Sequence, residues 1–336
     1  VFNRQSGENM HSLLIANRGE VALRIARSAR SMGLKYHGIY ASDDKNCYHV
    51  ELTSALPLSG SGPAAYMNQQ EILDLALKHD SAIHPGYGFL SENWEFAEKC
   101  DQAGVVFIGP TPETLATFGN KGAALELARK SQVPCLKNAP IRNTEEAKEF
   151  LKQNGPMMLK AVSGGGGRGM RIVRQEAEVE DALAACQREG SLATGNSEIY
   201  AEEMLEPARH LEVQVLGDGH DAVSFGLRDC SFQRRHQKII EIAPPPELDQ
   251  SLADMIQGYA LKLARASQLS SLATFEFLLH PDSQRIVFIE ANPRLQVEHT
   301  VTEEIYDVDL VELQLKVAAG KTISSLSLQD VSPRIG

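Results

Sequence analysis

The sequence predicts an α/β region followed by an α+β region. Over residues 10–118, short apolar runs alternate with helical patterns, which calls for a parallel sheet covered on both faces. From about residue 157, strand follows strand with turn signals between, which calls for antiparallel pairing. The composition is that of a folded chain: 336 residues, 43% hydrophobic and 23% charged. At roughly 100–200 residues per domain, that length predicts two or three domains. No apolar run reaches the ~20 residues of a membrane helix. The formal charge of −11 argues against nucleic acid held by general electrostatics. Cys47, Cys100, Cys135, Cys186 and Cys230 are scattered without a CxxC pair. That fits a reducing compartment better than a disulfide framework. The opening VFNRQSGENMHS lacks the features of a secretory signal or transit peptide.

Leu13-Leu14-Ile15-Ala16 reads as a buried strand ending in Asn17-Arg18-Gly19-Glu20. The following helix carries Val21, Ile25, Ala29 and Met32 on one face, with Gly33 as its C-terminal cap. Strands are expected at Tyr36–Tyr40, Ser81–His84 and Val105–Gly109, and helices at Gln69–Leu77 and Glu92–Cys100. These complete a first domain at 10–118. Thr111-Pro112-Glu113 opens a short helix that Gly119 ends. A helical connector spans 119–156, in two pieces split near Pro134 and Pro140. A subdomain at 157–205 holds strands Met157–Val162, Met170–Arg174 and Ile199–Glu203, with a helix running to about Glu189. The last region, 206–336, holds strands His210–Leu216 and Ala222–Arg228, the helix Gln250–Ala266 and two strands around His280–Gln284.

Ser163-Gly164-Gly165-Gly166-Gly167-Arg168-Gly169 is the most unusual segment. Consecutive glycines carry a large entropy cost, and what they supply is unshielded backbone N–H groups that can wrap phosphate oxygens. No GK[ST] is present, and a strand rather than a helix follows, so neither a P-loop nor a dinucleotide fingerprint fits. The remaining readings are a glycine-rich β-hairpin over a nucleotide and a flexible hairpin tip. Lys160 interrupts an apolar strand just before it, a charge that a phosphate partner would explain.

Phe275–Leu279 and Ile286–Glu290 read as a hairpin. If it is centred on Ser283, Glu276 faces Glu290, with Asn292 on the same side. Opposed carboxylates in an apolar hairpin need compensation. A divalent cation, Mg²⁺ or Mn²⁺ by its oxygen ligands, would supply it, as would a shared proton or a nearby Lys or Arg. In Arg294-Leu295-Gln296-Val297-Glu298, an extended backbone puts Arg294, Gln296 and Glu298 on one face and turns Leu295 and Val297 to the core. That face is an anion clamp beside a carboxylate base, or a surface salt bridge. Gln233-Arg234-Arg235-His236-Gln237-Lys238 is a basic run in an acidic chain. The prolines after Ala243 could aim it into a cleft, with Arg234, His236 and Lys238 on one face. His210 alone is ambiguous.

IANRGEVALRI, HPGYGFLSEN, GGGGRGM, RDCSFQRRHQK, TFEF and NPRLQVEHTVTEE stand here in the order they have in biotin carboxylases. The chain resembles that family, the ATP-grasp component of biotin-dependent carboxylases, over about residues 12–320. The resemblance implies a pre-ATP-grasp parallel-sheet domain followed by an ATP-grasp domain with a glycine-rich lid. It implies ATP-dependent carboxylation of biotin by bicarbonate through carboxyphosphate. It assigns ATP contacts to Lys121, Lys160, Gly164, Gly165, Gly166, Gly167, His210, Gln233 and His236, and the adenine hinge to Glu202, Glu203 and Leu205. Glu276, Glu290 and Asn292 become the Mg²⁺ or Mn²⁺ ligands. Arg294, Gln296 and Val297 become the bicarbonate site, Glu298 the base, and Lys238 a neighbour of the reacting phosphoryl group. The sequence departs from the family at Leu227 and Asn120, where acidic residues are usual.

The family domain continues past Gly336 into a segment with an arginine that stabilises the biotin enolate. The chain is therefore expected to be a C-terminally truncated domain, weakly active or inactive by itself. Biotin would be carried on a separate carrier domain, with a carboxyltransferase domain as the other partner and a homo-oligomer as the full enzyme. The compartment would be cytoplasm or mitochondrial matrix. Thr302–Ile305, Asp307–Leu310 and Glu241–Pro244 look more like pyruvate carboxylases than acyl-CoA carboxylases. The competing readings are another ATP-grasp carboxylate ligase and a nucleotide-binding assembly fragment without turnover.

Overall fold

The computed structural model describes residues 10–161, 169–194, 198–234, 237–328 and 332–334. Contacts divide the chain into two compact units. One comprises Val1–Val133, Arg209–Phe277 and Glu290–Gly336; the other comprises Pro134–Ala208 and Leu278–Ile289.

The first unit opens with β1 (Ser12–Ile15), β2 (Lys35–Tyr40), β3 (Leu56–Pro57) and β4 (Ala82–His84). They form a parallel sheet in the order β3-β2-β1-β4. Between β1 and β2 runs the helix Gly19–Ser31, whose N-cap Arg18 supplies no side-chain bond. A missing cap costs about 1 kcal/mol. Buried Val21 and Ile25 each contribute roughly 1.5–3 kcal/mol, so packing rather than capping holds this helix. The expected strand at Val105–Gly109 is reduced to a single bridge, Ile83 to Phe107. The helix expected from Glu92 starts at Trp94, because the Asn93 side chain accepts from Phe96 N and caps it there. Thr111 caps the helix Pro112–Gly119 as its sequence requires.

The second unit holds β5 (Asn138–Ile141), β6 (Met157–Ala161), β7 (Met170–Val173) and β8 (Ile199–Glu203). Their order is β5-β8-β6-β7, all antiparallel. β5 corrects the expectation of an all-helical connector. Helices Lys121–Lys130 and Thr144–Asn154 form, but a strand lies between them. It tolerates Pro140 because β5 is an edge strand, where one missing N–H breaks no ladder. β6 and β7 pair antiparallel through Lys160 and Met170. Gly164–Gly167 and Arg168 lie outside the described residues. Met157, Leu159, Val173, Ile199 and Ala201 form this unit's core with the helices Thr144–Asn154 and Val179–Thr194.

The third sheet is β9 (Arg209–Gly217), β10 (Ala222–Arg234), β11 (Gln237–Ile242), β12 (Leu272–Leu279) and β13 (Ile286–Asn292), in the order β11-β10-β9-β12-β13. β9 is its central strand. Leu211, Val213 and Val215 are buried on the face opposite His210, Glu212 and Gln214, following the period of two. The basic run proves to be the β10–β11 hairpin, not one extended segment. Gln233 pairs with Lys238 and Arg234 with Gln237, so Arg234 and Lys238 point to opposite faces. His236 lies outside the described residues.

The β9–β10 register shifts between Ser224 and Leu227, where Gly226 takes φ +65°. A Cβ at Gly226 would clash with the Tyr306 hydroxyl. Gly226→Ala is therefore expected to cost at least about 2 kcal/mol through overpacking and backbone strain. Adding Tyr306→Phe should return part of that loss. Urea unfolding of the three variants measures both, and full stability in Gly226→Ala would contradict the packing described.

Candidate functional site

Several of the candidate side chains lie on the third sheet. Glu212, wholly buried in β9, is the registered cross-strand partner of Arg228 in β10. It accepts from Arg228 Nε and from Lys238 Nζ at 2.6 Å. Arg228 also donates to Thr302 Oγ1 at 2.6 Å, Gln214 Oε1 at 3.2 Å and Thr274 Oγ1 at 3.3 Å. Removing one partner from such a buried pair typically costs about 3–5 kcal/mol, because the other charge is left dry.

Lys238 directs its ammonium to three carboxylates. Besides Glu212 it donates to Glu298 Oε1 at 2.7 Å and Glu276 Oε1 at 3.1 Å. Burial works against the charge, but Glu212, Glu276 and Glu298 outweigh it and the lysine pKa is raised. Ligand atoms of Glu212, Cys230 and Glu298 also lie within 4.8 Å of one another. The ammonium already binds both of those carboxylates. Burial, then Glu212, pushes the Cys230 thiol pKa up, so this trio is better described as a lysine socket than as a metal site.

Glu276 accepts at Oε2 from His210 Nε2, 2.6 Å away. Gln233 Nε2 donates to His210 Nδ1 at 2.6 Å, which selects the tautomer with its proton on Nε2. Asn292 Nδ2 donates to Glu276 Oε1 at 2.8 Å. Burial opposes the Glu276 charge, but His210 and Lys238 prevail and its pKa is lowered. In Glu290, burial and the charge of Glu276 raise the pKa, with Lys121 opposing. Glu276 and Glu290 thus offer carboxylate oxygens, and Asn292 an amide oxygen that also accepts from Arg294 Nη2. That donor chemistry fits Mg²⁺ or Mn²⁺.

The Arg294–Glu298 stretch departs from the extended form expected of it. Val297 is 61% exposed while Gln296 and Glu298 are buried. The chain turns at Val297–Glu298 into the helix His299–Tyr306, which swings Val297 outward. His299 Nδ1 donates to Gln296 O at 2.7 Å and braces that turn. Arg294 donates to Gln296 Oε1 at 2.9 Å and to Glu92 Oε1 at 2.7 Å.

Lys121 opens the helix that Asn120 caps. In the second unit, Lys160 pairs with Glu202 across the sheet, so its charge already has a protein partner. The Glu203 carboxylate holds both Arg285 Nη atoms and Lys137 N. Leu205 follows β8, partly buried. Gly164–Gly167 and His236 lie outside the described residues.

Sequence reasoning missed Glu212, Arg228, Glu92 and His299. For Glu212 the signal was present: His210, Glu212 and Gln214 alternate with apolar residues in one strand. For Glu92 and His299 the partners are distant in sequence or are backbone atoms, and no local pattern marks them.

A parallel-sheet region joined to antiparallel sheets with this carboxylate-lined face is ATP-grasp architecture. Residues 9–115 match the family described as "Biotin carboxylase, N-terminal domain", and 120–326 match "Carbamoyl-phosphate synthase L chain, ATP binding domain". The chain belongs to the biotin carboxylase family, whose domains are ligases. It is similar to a Campylobacter jejuni biotin carboxylase solved as a β-γ-ATP complex, with 38% identity and TM-score 0.88 over 95% of this chain and 73% of that one. It is also similar to the biotin carboxylase domain of a Hydrogenobacter thermophilus 2-oxoglutarate carboxylase solved with MgADP and bicarbonate. There the identity is 38% and the TM-score 0.85, over 93% of this chain and 70% of that one. Aspergillus niger pyruvate carboxylase is 43% identical over 94% of this chain. The chain spans about 27% of the length of that relative.

β4 ends at wholly buried His84, whose Nδ1 accepts from Gly86 N at 3.1 Å. Burial, then nearby Arg24, lowers its pKa to about 3. The folded pKa lies below the unfolded one of about 6.5. The neutral ring's stabilisation is therefore complete above that pH and is lost as pH falls toward 3. Urea unfolding at pH 7.5 and 5.0 should show His84 contributing about 2 kcal/mol of the acid loss. His84→Gln should lack that share; an identical pH slope in the variant would contradict the assignment.

Proposed function

We propose that this chain serves the ATP-dependent carboxylation of biotin by bicarbonate through carboxyphosphate as part of a multidomain biotin-dependent carboxylase. The observation that supports it most is the Lys238 ammonium shared among Glu212, Glu276 and Glu298, with Arg294 and Gln296 just before Glu298 in the chain. In this reading a cation and a carboxylate base meet at Lys238 and Glu298, and the Arg294 clamp is linked to them through Asn292 and Glu276.

In this reading Arg294, Gln296 and the Val297 backbone hold bicarbonate. Glu298 takes its proton, and the freed oxygen attacks the γ-phosphoryl group of ATP, with ADP leaving. Lys238 balances charge that builds on the transferring phosphoryl oxygens. Carboxyphosphate then breaks its C–O bond to give CO₂ and phosphate, the phosphate takes the ureido N–H proton of biotin, and the nitrogen attacks CO₂ to give carboxybiotin. Glu276, Glu290 and Asn292 would hold Mg²⁺ or Mn²⁺, which neutralises phosphate charge when bound. His210 and Gln233 orient Glu276 for that task. Lys121, Lys160, Gly164–Gly167, His236, Glu202, Glu203 and Leu205 are assigned to the nucleotide, with Glu203 acting through its backbone because Arg285 occupies its side chain.

The division into 10–118, 119–156, 157–205 and 206–336 belongs to this reading. So does a place in a multidomain carboxylase of the pyruvate carboxylase type, with a biotin carrier domain, a carboxyltransferase domain and a homo-oligomeric assembly. Among the described residues, no helix is long and apolar enough to cross a membrane. The proposed setting is cytoplasm or mitochondrial matrix.

ADP release from Mg-ATP by the full carboxylase that contains this chain, measured with and without bicarbonate, tests the reaction. Bicarbonate should stimulate release, and Glu298→Gln should lower the stimulated rate by about 10²–10⁴-fold. No stimulation, together with no effect of the substitution, would sink the proposal.

A further inference from the structure

Arg294 is proposed above as the bicarbonate clamp, yet its guanidinium is already engaged by protein. Nε donates to Glu92 Oε1 at 2.7 Å. Nη1 donates to Leu295 O at 3.1 Å and to Gln296 Oε1 at 2.9 Å. Nη2 donates to Asn292 Oδ1 at 3.3 Å. A carboxylate-like anion binds arginine bidentately along the Nε–Nη2 edge or the Nη1–Nη2 edge. Each edge therefore already holds a protein acceptor, and an incoming anion must displace one.

Of these four partners only Glu92 is charged, and its side chain is 43% exposed against 21% for Arg294. Gln296 is buried, and the Leu295 contact is backbone to its own neighbour. Glu92 also presents the same planar, negatively charged CO₂ group as bicarbonate. We infer that Glu92 is an internal stand-in for the substrate anion: it occupies Arg294 when the site is empty and is exchanged for bicarbonate on binding. This rests on the reading of Arg294 as the bicarbonate site and adds a competitor to it.

The exchange is inexpensive for the protein. A half-exposed ion pair shifts an equilibrium by only about 1.5- to 5-fold. Glu92 immediately precedes Asn93, the N-cap of helix Trp94–Gln102, so a helix N-terminus remains beside it after release. Meanwhile Gln296 and Asn292 keep the guanidinium oriented, so the clamp is held in place while its charged partner changes. The apparent affinity for bicarbonate is the intrinsic affinity multiplied by the fraction of molecules in which Glu92 has let go. A residue that merely positions Arg294 has the opposite effect, because its loss weakens binding.

The test titrates ¹³C-bicarbonate into the protein with MgADP present and follows the NMR line width. Glu92→Gln keeps the shape and removes the charge; Glu92→Ser removes the reach. Both are expected to tighten bicarbonate about 2- to 5-fold. Arg294→Lys should weaken it, and Glu92→Gln added to Arg294→Lys should bring little further gain, since the pair is already broken. Unchanged or weaker binding in Glu92→Gln and Glu92→Ser, with Arg294→Lys still impaired, would overturn the stand-in while leaving the Arg294 site intact. Equal binding in the parent and Arg294→Lys would overturn the Arg294 site itself, and the stand-in with it.

Discussion

A carboxylate buried at the centre of a sheet constrains everything near it. Glu212 is wholly buried in the middle strand, and an ion there survives only if it is paired and hydrogen-bonded. Arg228 comes from the next strand and Lys238 from the strand beyond. Arg228 in turn bonds Thr302 and so ties the helix that begins just after Glu298. Lys238 ties Glu276 and Glu298 to the same point. Satisfying one buried charge thereby fixes the relative positions of the proposed base and of one proposed metal ligand. A hydrophobic replacement of the whole network could be as stable, but it would leave nothing to locate those side chains.

The same face shows how an acidic protein keeps local positive charge. The net charge of −11 describes the whole chain, whereas Arg228, Lys238 and Arg294 sit where electrostatic interactions are screened least. Each is spoken for by carboxylates or carbonyls. Cation and anion are thus stored together, so in the proposed reading an anion enters by exchanging partners rather than by meeting bare charge. His210 shows the same economy: one nitrogen accepts from Gln233, and the other donates to Glu276.

Much of this was legible in the sequence where a period or a composition carried it. The strands β1, β6, β8 and β9 follow apolar runs, and the Thr111 and Gly33 boundaries follow cap chemistry. Glu276 and Asn292 could be placed together because a hairpin's alternation brings them to one face. β5 was hidden because Pro140 reads as a breaker, and only the sheet order reveals that it lies at an edge where proline is harmless. Val297 was assigned to the core because alternation was extended across a point where the backbone turns toward a helix. The Arg294–Glu92 contact spans 202 residues, and no local pattern encodes a pairing of that range. Gln233 and Lys238 could be matched only once the basic run was known to fold back on itself.

The second unit is assembled from two stretches, Pro134–Ala208 and Leu278–Ile289, joined by the Arg285–Glu203 pair across 82 residues and by the bridge from Cys135 to Phe288. Contacts of such long range form only after the entropy of a large loop has been overcome. During synthesis, residues 134–208 emerge first and must wait, one side incomplete, for the hairpin tip that finishes them. That tip belongs to the strands bearing Glu276 and Glu290. The stretch that completes the second unit and the hairpin that carries the proposed metal ligands are therefore one continuous piece of chain.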